Sequence, residues 1–529
     1  MYSGNRNGGV ILKKTNIFSA IGSVMVIMIA SRLLALFSSQ IYMSVFGTDS
    51  VYINIYSYAI NIPNIIFTSI GTALSTVVIP IYVGHKAVGE GEKAKKFADN
   101  IISVSMVLTL ILVILGMCIS PVLVKFTGFG KEAETRIYAI KALMIVMPVM
   151  FFYALNYIFQ GMLQSEGQYR LPAFVSVPSS IVVILYVLFL SSRFGVTGLL
   201  YASLLGLSLQ ALILIPPLYK NGYRYKIRLK LKDPDIINAA KMAVPVLIGV
   251  GAYQLNMLFN STMIARYDKS MVTILTFVQN ITIQMVLAFV YSITAVIYPS
   301  LSKSYAKGDI NSYKETLGGI LKNVSVMLIP ITFGYISVRG PLLNLLVAWG
   351  KVSPESVKKA EIFLSFYAIG ILGIGLKEIL DRALYSIKNT RISAINGFVI
   401  MFVNIALSIL FMFYIGAYGI PLAYSIASLA GVANLLWQLK RKIGSFAKGL
   451  FSQILKSLLI ALVMWLMVFL IQNVLNLYLN GNNLFIRILK LGIPAGFGAV
   501  IYIVLGYFIN LSFIRDLADK LLKRKKEDK

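Results

Sequence analysis

"VVIPIYVGHKAVGEGEKAKKF" (Val77–Phe97) and "AVIYPSLSKSYAKGDINSYKET" (Ala295–Thr316) are two versions of one design. Each sets a proline near the end of an apolar stretch, Pro80 and Pro299. Nine residues on come glycine and an acid, Gly89-Glu90 and Gly308-Asp309, and a new helical pattern opens. The prolines lie 219 residues apart, as do Asp49, which closes the first apolar segment, and Asp268, which follows the seventh. "GVTGLLYAS" (195–203) and "GAYGIPLAYS" (416–425) match at an offset of 221. A repeat of this length marks a duplicated half, and composition says in what solvent that half folds.

Of 529 residues 58% are hydrophobic and 13% charged, and the mean hydropathy is +0.80. Soluble domains carry roughly 25% charged residues, so the chain reads as a polytopic all-α membrane protein. Apolar stretches of about 20 residues, enough to cross a hydrocarbon core of about 30 Å, recur from residue 17 to residue 510. We read fourteen, among them 17–46, 51–83, 236–265, 271–302, 358–386, 450–476 and 484–510. Residues 17–46 are too long for a signal-peptide core and show no small-residue cleavage site.

The formal charge of +29 is read by location, because basic residues beside spans mark the cytoplasmic side. With a cytoplasmic N-terminus, the inner segments include Lys93, Lys95 and Lys96, "KNGYRYKIRLKLKD" from Lys220, "KRK" at 440–442 and the tail "LLKRKKEDK". The alternate loops "GTDS" (47–50), "SRFG" (192–195), "YIGAYG" (414–419) and "LYLNGNN" (477–483) carry almost no positive charge. This alternation predicts fourteen spans with both ends cytoplasmic. Residues 339–359 are long for a loop, and their "PLLNLLVAW" is too short to cross, so it is expected in the interface, anchored by Trp349. The basic segment at 220–232 and the tail are expected to touch anionic headgroups rather than nucleic acid.

Six is an even number, so spans one to six and seven to twelve enter the membrane in the same direction and form two parallel lobes. The expected units are 1–220, 221–440, and 441–529 with two additional helices and the basic tail. Such lobes can rock about a central site, the architecture of alternating access. Pro80 and Pro299, near the ends of the second span of each lobe, read as paired hinge or stop points; the alternative is that each only ends its helix.

Ionisable groups inside spans are costly and usually face a cavity or a partner. Arg32 lies in the middle of the first span with no partner on its own helix, and a guanidinium there suits a phosphate or pyrophosphate. In the tenth span Lys377 with Asp381 and Glu378 with Arg382 are four apart, so two ion pairs can close along one face; self-neutralisation is the structural alternative. Gln279, Asn280 and Gln284 cluster in the eighth. The single cysteine, Cys118, lies in an apolar span and the single histidine, His85, in a polar loop, so neither a disulfide nor a metal site is expected. No Walker A, metal-ligand cluster or Gly-x-Ser-x-Gly elbow appears. The chemistry left is translocation rather than catalysis.

"ASRLLALF", "VFGTD", "NIPN" (61–64), "VVIPIY" (77–82) and "LIGVGAYQLNMLFNSTMIA" resemble the lipid II flippase family, MurJ or MviN, of the multidrug/oligosaccharidyl-lipid/polysaccharide exporter superfamily. "VYSITAVIYPSLSKSYAKGD" (290–309) and "FYAIGILGIGLKEILDRALYS" (366–386) are the most specific stretches. The resemblance implies two six-helix lobes plus two helices that help form a groove for the lipid tail. It implies carriage of an undecaprenyl-pyrophosphate-linked peptidoglycan precursor across the bacterial cytoplasmic membrane. It places the family's cavity residues on Arg32, Asp49, Ser38 and Ser39, near Phe67, on Asn280 and on Glu378 with Lys377 beside it. Several family cations are therefore replaced, and Lys377 or Arg382 compensates if either faces the cavity. The candidate site is thus Arg32, Ser38, Ser39, Asp49, Gln279, Asn280, Lys377, Glu378 and Arg382, with no cofactor. Drive from the membrane potential or from a monovalent cation stays open. Other readings are a flippase for a capsule, teichuronic or exopolysaccharide unit, a cation-coupled drug exporter, and a scaffold for cell-wall enzymes. The drug exporter would need an acidic ion-binding constellation in the first lobe, and the sequence offers none there.

Overall fold

Lipid offers a backbone no hydrogen-bonding partner, so a chain this apolar must close its backbone bonds within helices. The computed structural model describes residues 14–515 other than 88, 388, 480 and 482; the side chains of 14–25 and of scattered helical positions, Pro299 among them, lie outside the described set. The described residues contain helices and no strand. In chain order the rods are α1 (Lys14–Phe46), α2 (Val51–Ala87), α3 (Gly91–Lys125), α4 (Ala133–Ser165), α5 (Arg170–Phe189), α6 (Ser191–Lys220) and α7 (Pro234–Tyr267). There follow α8 (272–306), α9 (Ile310–Ser337), α10 (354–386), α11 (Thr390–Ile415), α12 (Gly419–Ile443), α13 (Leu450–Tyr478) and α14 (Leu484–Phe508). Starts are fixed by side-chain caps that satisfy otherwise orphaned N–H groups: Asp233, Asp309, Ser353, Asn389 and Asn483 at α7, α9, α10, α11 and α14.

By length and composition ten described segments can cross a membrane, eleven if α10, bent by 41° between Ile369 and Ile371, counts as one. That is fewer than the fourteen read from the sequence. The count runs over the described residues: α11 and α12 fall within one qualifying stretch, and α2 and α7 each contain side chains outside the described set.

The duplication is written into the backbone. Gly195 (φ 55°, ψ −149°) and Gly416 (φ 65°, ψ −147°) break the chain in the same left-handed geometry at repeat-related positions. Gly89 and Gly308, with φ of 80° and 73°, make the turns after α2 and α8. Neither expected stop point stops its helix: α2 runs through Pro80 to Ala87, and α8 continues past position 299 to Ala306. A membrane helix tolerates proline where neighbouring turns re-satisfy the freed carbonyl.

The two bundles, α1–α6 and α7–α12, are joined unequally at their ends. At the face carrying residues 47–50, one apolar core crosses both: Ile53, Tyr58 and Phe129 of the first bundle share a cluster with Ile264, Val272, Leu275 and Phe363 of the second. Polar contacts stitch the same joint. Asn54 accepts from the Thr273 N–H (2.9 Å) and donates to the Thr48 and Ser50 carbonyls (2.6 and 2.9 Å), while the Ser57 and Thr273 hydroxyls meet at 2.9 Å. Lys351 N–H donates to the Ser44 carbonyl at 2.7 Å, and Lys269 pairs with Glu132 at 2.7 Å. Towards the opposite, basic face the cores separate. Val78, Phe97, Ile101 and Met162 form one, which reaches the second bundle at Ile236, Ala239 and Ala243 of α7; Leu317, Leu321, Leu380 and Leu435 form another. The molecule is therefore closed at one face and divided at the other.

α13 and α14 pack on the second bundle through Ile460, Met464 and Tyr502 against Val326 and Ile329 of α9. The expected interfacial segment is a short helix, Arg339–Leu346. Trp349 follows it, donating its indole N–H to the Leu345 carbonyl (2.6 Å) beneath the Arg487 guanidinium, 4.5 Å from the ring centre.

On the basic face His85 is more than a surface residue. Its Nε2 lies 2.8 Å from Asp235 at the start of α7, and its Nδ1 lies 3.3 Å from Glu90. Partial burial works against the imidazolium, but the Asp235 and Glu90 carboxylates outweigh it and hold the pKa above the ordinary histidine value. The bridge is thus fully charged below a pH of about 6.5 and is lost as pH rises through the higher folded-state pKa. Wild type should exceed His85→Gln in thermal stability below that pH by about 0.5 kcal/mol, with the gap closing towards alkaline pH. Melting curves of both proteins from acid to alkaline buffer check this.

Candidate functional site

Arg32 sits half-way along α1 beside a polar cavity of about 330 Å³ inside the first bundle. α2 contributes Asn64 and Thr68, one turn apart; α4 contributes Tyr153, Asn156, Tyr157 and Gln160; α6 contributes Leu207 and Gln210. Residues four apart share a helix face, so Asn64/Thr68 and Asn156/Gln160 turn towards one space. Their amides form a wall in series. Gln160 donates to Asn156 (2.9 Å), Asn156 to Gln210 (3.4 Å) and Gln210 to the Ser179 hydroxyl (2.8 Å). No carboxylate lines the cavity, and among the described residues none lies within 4.0 Å of the Arg32 guanidinium. An unneutralised cation facing neutral amides and phenols is a receptor for an anion with hydrogen-bonding groups around it.

The second bundle answers with a different device at repeat-related helices. On α10 the Lys377 ammonium donates to Asp381 (2.7 Å) and the Arg382 guanidinium to Glu378 (2.9 Å), the two pairs expected from their spacing. Asp381 accepts a second bond from Ser393 (2.5 Å). Both acids are buried, with 6% and 15% of their side-chain surface exposed, whereas Lys377 keeps 28% and Arg382 40%. The row therefore shows its positive ends outward. Tyr253 of α7 and Tyr291 of α8 stand within electrostatic range of it; α7, α8 and α10 are the counterparts of α1, α2 and α4, which bound the Arg32 cavity.

Of the nine candidate residues only Arg32 lines that cavity. Ser38 is buried on α1, and Ser39 turns its hydroxyl back to the Ala35 carbonyl (3.1 Å). Asp49 belongs to the joint between the bundles rather than to a cavity: it accepts from the Ser356 hydroxyl at 2.6 Å in the first turn of α10. Gln279 donates to the buried Tyr367 phenol (2.7 Å), and Asn280 opens a π-helical turn, Asn280–Gln284, within α8. Such single π-turns within α-helices are frequent at functional sites. Phe67, near which the resemblance places an arginine, is fully buried behind Tyr153 and Tyr157, with ring centres 6.2 and 6.4 Å away. The cavity amides were missed in the sequence, although polar pairs at four-residue spacing inside apolar spans are a readable signal.

Two facing helix bundles, joined at one end, with the Arg32 cation at a polar cavity of the first and the partly exposed Lys377 and Arg382 on α10 of the second, define a membrane transporter with the fold of the multidrug/oligosaccharidyl-lipid/polysaccharide exporters. Solved structures agree. An inward-facing multidrug-resistance MATE transporter of that superfamily superposes with a TM-score of 0.65 at 16% identity, over 80% of this chain and 99% of its own. A structure described as lipid II flippase MurJ in an inward closed conformation superposes with a TM-score of 0.78 at 25% identity, over 94% of this chain and 99% of its own. A sequence model described as lipid II flippase MurJ matches residues 42–489. The chain belongs to the lipid II flippase MurJ family. Among relatives, a probable lipid II flippase MurJ of Buchnera aphidicola subsp. Schizaphis graminum is 22% identical over 96% of this chain and all of its own length. The lipid II flippase MurJ of Thermosipho africanus is 25% identical over 78% of this chain and 83% of its own.

The two ion pairs of α10 should differ in structural weight. Removing one partner of a buried pair strands a charge at about 3–5 kcal/mol, whereas exposed pairs contribute about 1 kcal/mol or less. Asp381→Leu, which strands the Lys377 ammonium (28% exposed) and removes the Ser393 bond, should therefore lower thermal stability in detergent more than Glu378→Leu, which strands the more exposed Arg382 (40%), and unfolding curves of the two variants measure the difference.

Proposed function

We propose that this chain is an alternating-access flippase that moves an undecaprenyl-pyrophosphate-linked glycan, lipid II, from the inner to the outer leaflet of the bacterial cytoplasmic membrane. The observation that carries the reading is Arg32, a cation without a protein counter-charge among the described residues, set in a cavity lined by amides and phenols. A pyrophosphate supplies the missing negative charge, and the amide wall of Asn156, Gln160 and Gln210 offers donors and acceptors to a sugar or peptide amide. The outward cations of the α10 row supply a second positive site on the other bundle. With the basic face cytoplasmic, the divided end opens to the side where the precursor is made. Passage then needs the joint at Asn54 and Ser57 to open while the basic face closes, driven by the membrane potential or a monovalent cation gradient. Pro80 and Pro299, both within continuous helices, are the proposed flexing points.

A second reading, a flippase for another polyprenyl-linked polysaccharide unit, is favoured by Phe67, a buried aromatic where the resemblance implies a cation. Complementation separates the two. Cells lacking their own lipid II flippase should grow on wild type, fail on Arg32→Ala, and recover in part on Arg32→Lys, which keeps the charge but loses the planar fork. Growth on Arg32→Ala equal to wild type would remove Arg32 from the mechanism. Failure of wild type, with the chain shown to be in the membrane, would favour the other glycan.

Rocking has its own test. Ser57→Cys with Thr273→Cys, in a Cys118→Ala background, replaces two hydroxyls 2.9 Å apart and should form a disulfide across the joint. Growth should stop under oxidation and return on reduction; unimpaired growth with the crosslink quantitative would rule out opening at this face.

A further inference from the structure

The connection between α6 and α7 is bound to the protein by its backbone. The N–H groups of Lys226, Arg228 and Lys230 donate to Asp99 (3.1 Å), Ser103 (3.1 Å) and Asn100 (2.8 Å), all on the third and fourth turns of α3. Asn100 returns a bond to the Lys230 carbonyl (3.0 Å), and the Tyr223 and Tyr225 phenols meet Asp99 and Ser103 (2.8 and 2.9 Å). Three donors on alternate residues aimed at one helix are the period-two arrangement of an extended chain. In that arrangement successive side chains alternate between two faces. The even positions Arg224, Lys226, Arg228, Lys230 and Lys232 form one row, and Tyr225, Ile227, Leu229 and Leu231 form the other.

The apolar row is largely uncovered among the described residues: Ile227 is 88% exposed, Leu231 64% and Leu229 53%. Within the cationic row, among the described residues, only Arg228 has a carboxylate within 4.0 Å, Asp233 at 3.5 Å; Asp99 is already committed to the backbone and to Tyr223. The segment leaves the end of α6 on the basic face, where the headgroups of the adjoining leaflet lie. An exposed aliphatic row beside unneutralised cations, held rigidly at a membrane edge, matches one surface: apolar side chains among the upper acyl carbons, and ammonium and guanidinium groups on phosphates.

We propose that residues 224–232 are an interfacial ribbon that docks on anionic phospholipid headgroups at the basic face. The hydrogen bonds to α3 hold it in the extended form that separates its two rows. Because the ribbon runs directly into the Asp233 cap of α7, the docked lipid fixes the connection between the bundles at the edge of the first.

The test uses the full chain with Ile227→Cys in a Cys118→Ala background, labelled with an environment-sensitive fluorophore and reconstituted in vesicles. Position 227 is 88% exposed and belongs to no apolar core among the described residues, so the label costs no core contact. In vesicles containing phosphatidylglycerol the emission should shift to the blue and be quenched by lipids spin-labelled near the headgroup; in pure phosphatidylcholine both effects should be much weaker. In detergent, titration with short-chain phosphatidylglycerol should give the same shift. Lys226→Gln and Lys230→Gln should each weaken that titration about fivefold and leave a phosphatidylcholine titration unchanged. Water-like emission in both vesicles, or equal shifts with both lipids, overturns the proposal. So does a shift produced by RNA in place of lipid.

Discussion

One buried amide holds three pieces of this protein in register. Asn54 spends both of its side-chain donors on the turn between α1 and α2 and its acceptor on the first turn of α8. The residue is fully buried, where an amide left without partners would cost about 1–3 kcal/mol. The apolar cluster around it draws on both bundles. Together they make the face carrying residues 47–50 a single solid and leave the other end free to be two. Every functional argument depends on that inequality, since a site between bundles is of use only if one end can part while the other is shut.

Duplication supplied the frame and divergence supplied the chemistry. The same left-handed glycine break precedes the later part of α6 and α12, and the same glycine turn follows α2 and α8. Yet the polar content of the halves differs. The first bundle holds one unpaired cation among amides, and the second holds two self-paired cations whose acids are the more deeply buried members. Paired charges tolerate an empty site, because each cation has somewhere to put its field. Arg32 has no such refuge among the described residues, which makes its half of the site the one that depends on a visitor.

The sequence disclosed what is local or periodic. Membrane class, the repeat, the parallel lobes and both α10 ion pairs follow from composition, offset and four-residue spacing. It hid what is made across the fold. The family resemblance makes Asp49 a cavity acid, but its partner Ser356 is 307 residues away. His85 reads as bland until α7 places Asp235 beside it. The polar face of α2 hides a division of labour: Asn54 and Ser57 serve the joint, Asn64 and Thr68 the cavity, and nothing in the spacing separates them.

The joint also has a history in time. Asn54 and Thr273 are 219 residues apart. At synthesis rates of about 5–20 residues per second, the ribosome needs roughly 10–40 s to make the second partner after the first. For most of that interval the leading half is itself still being made, and until Thr273 follows, the future contact surface of α2 is uncovered. A nascent chain in this condition needs a temporary neighbour, whether lipid headgroup, water or insertion machinery, and the release of that neighbour is part of how the molecule is born.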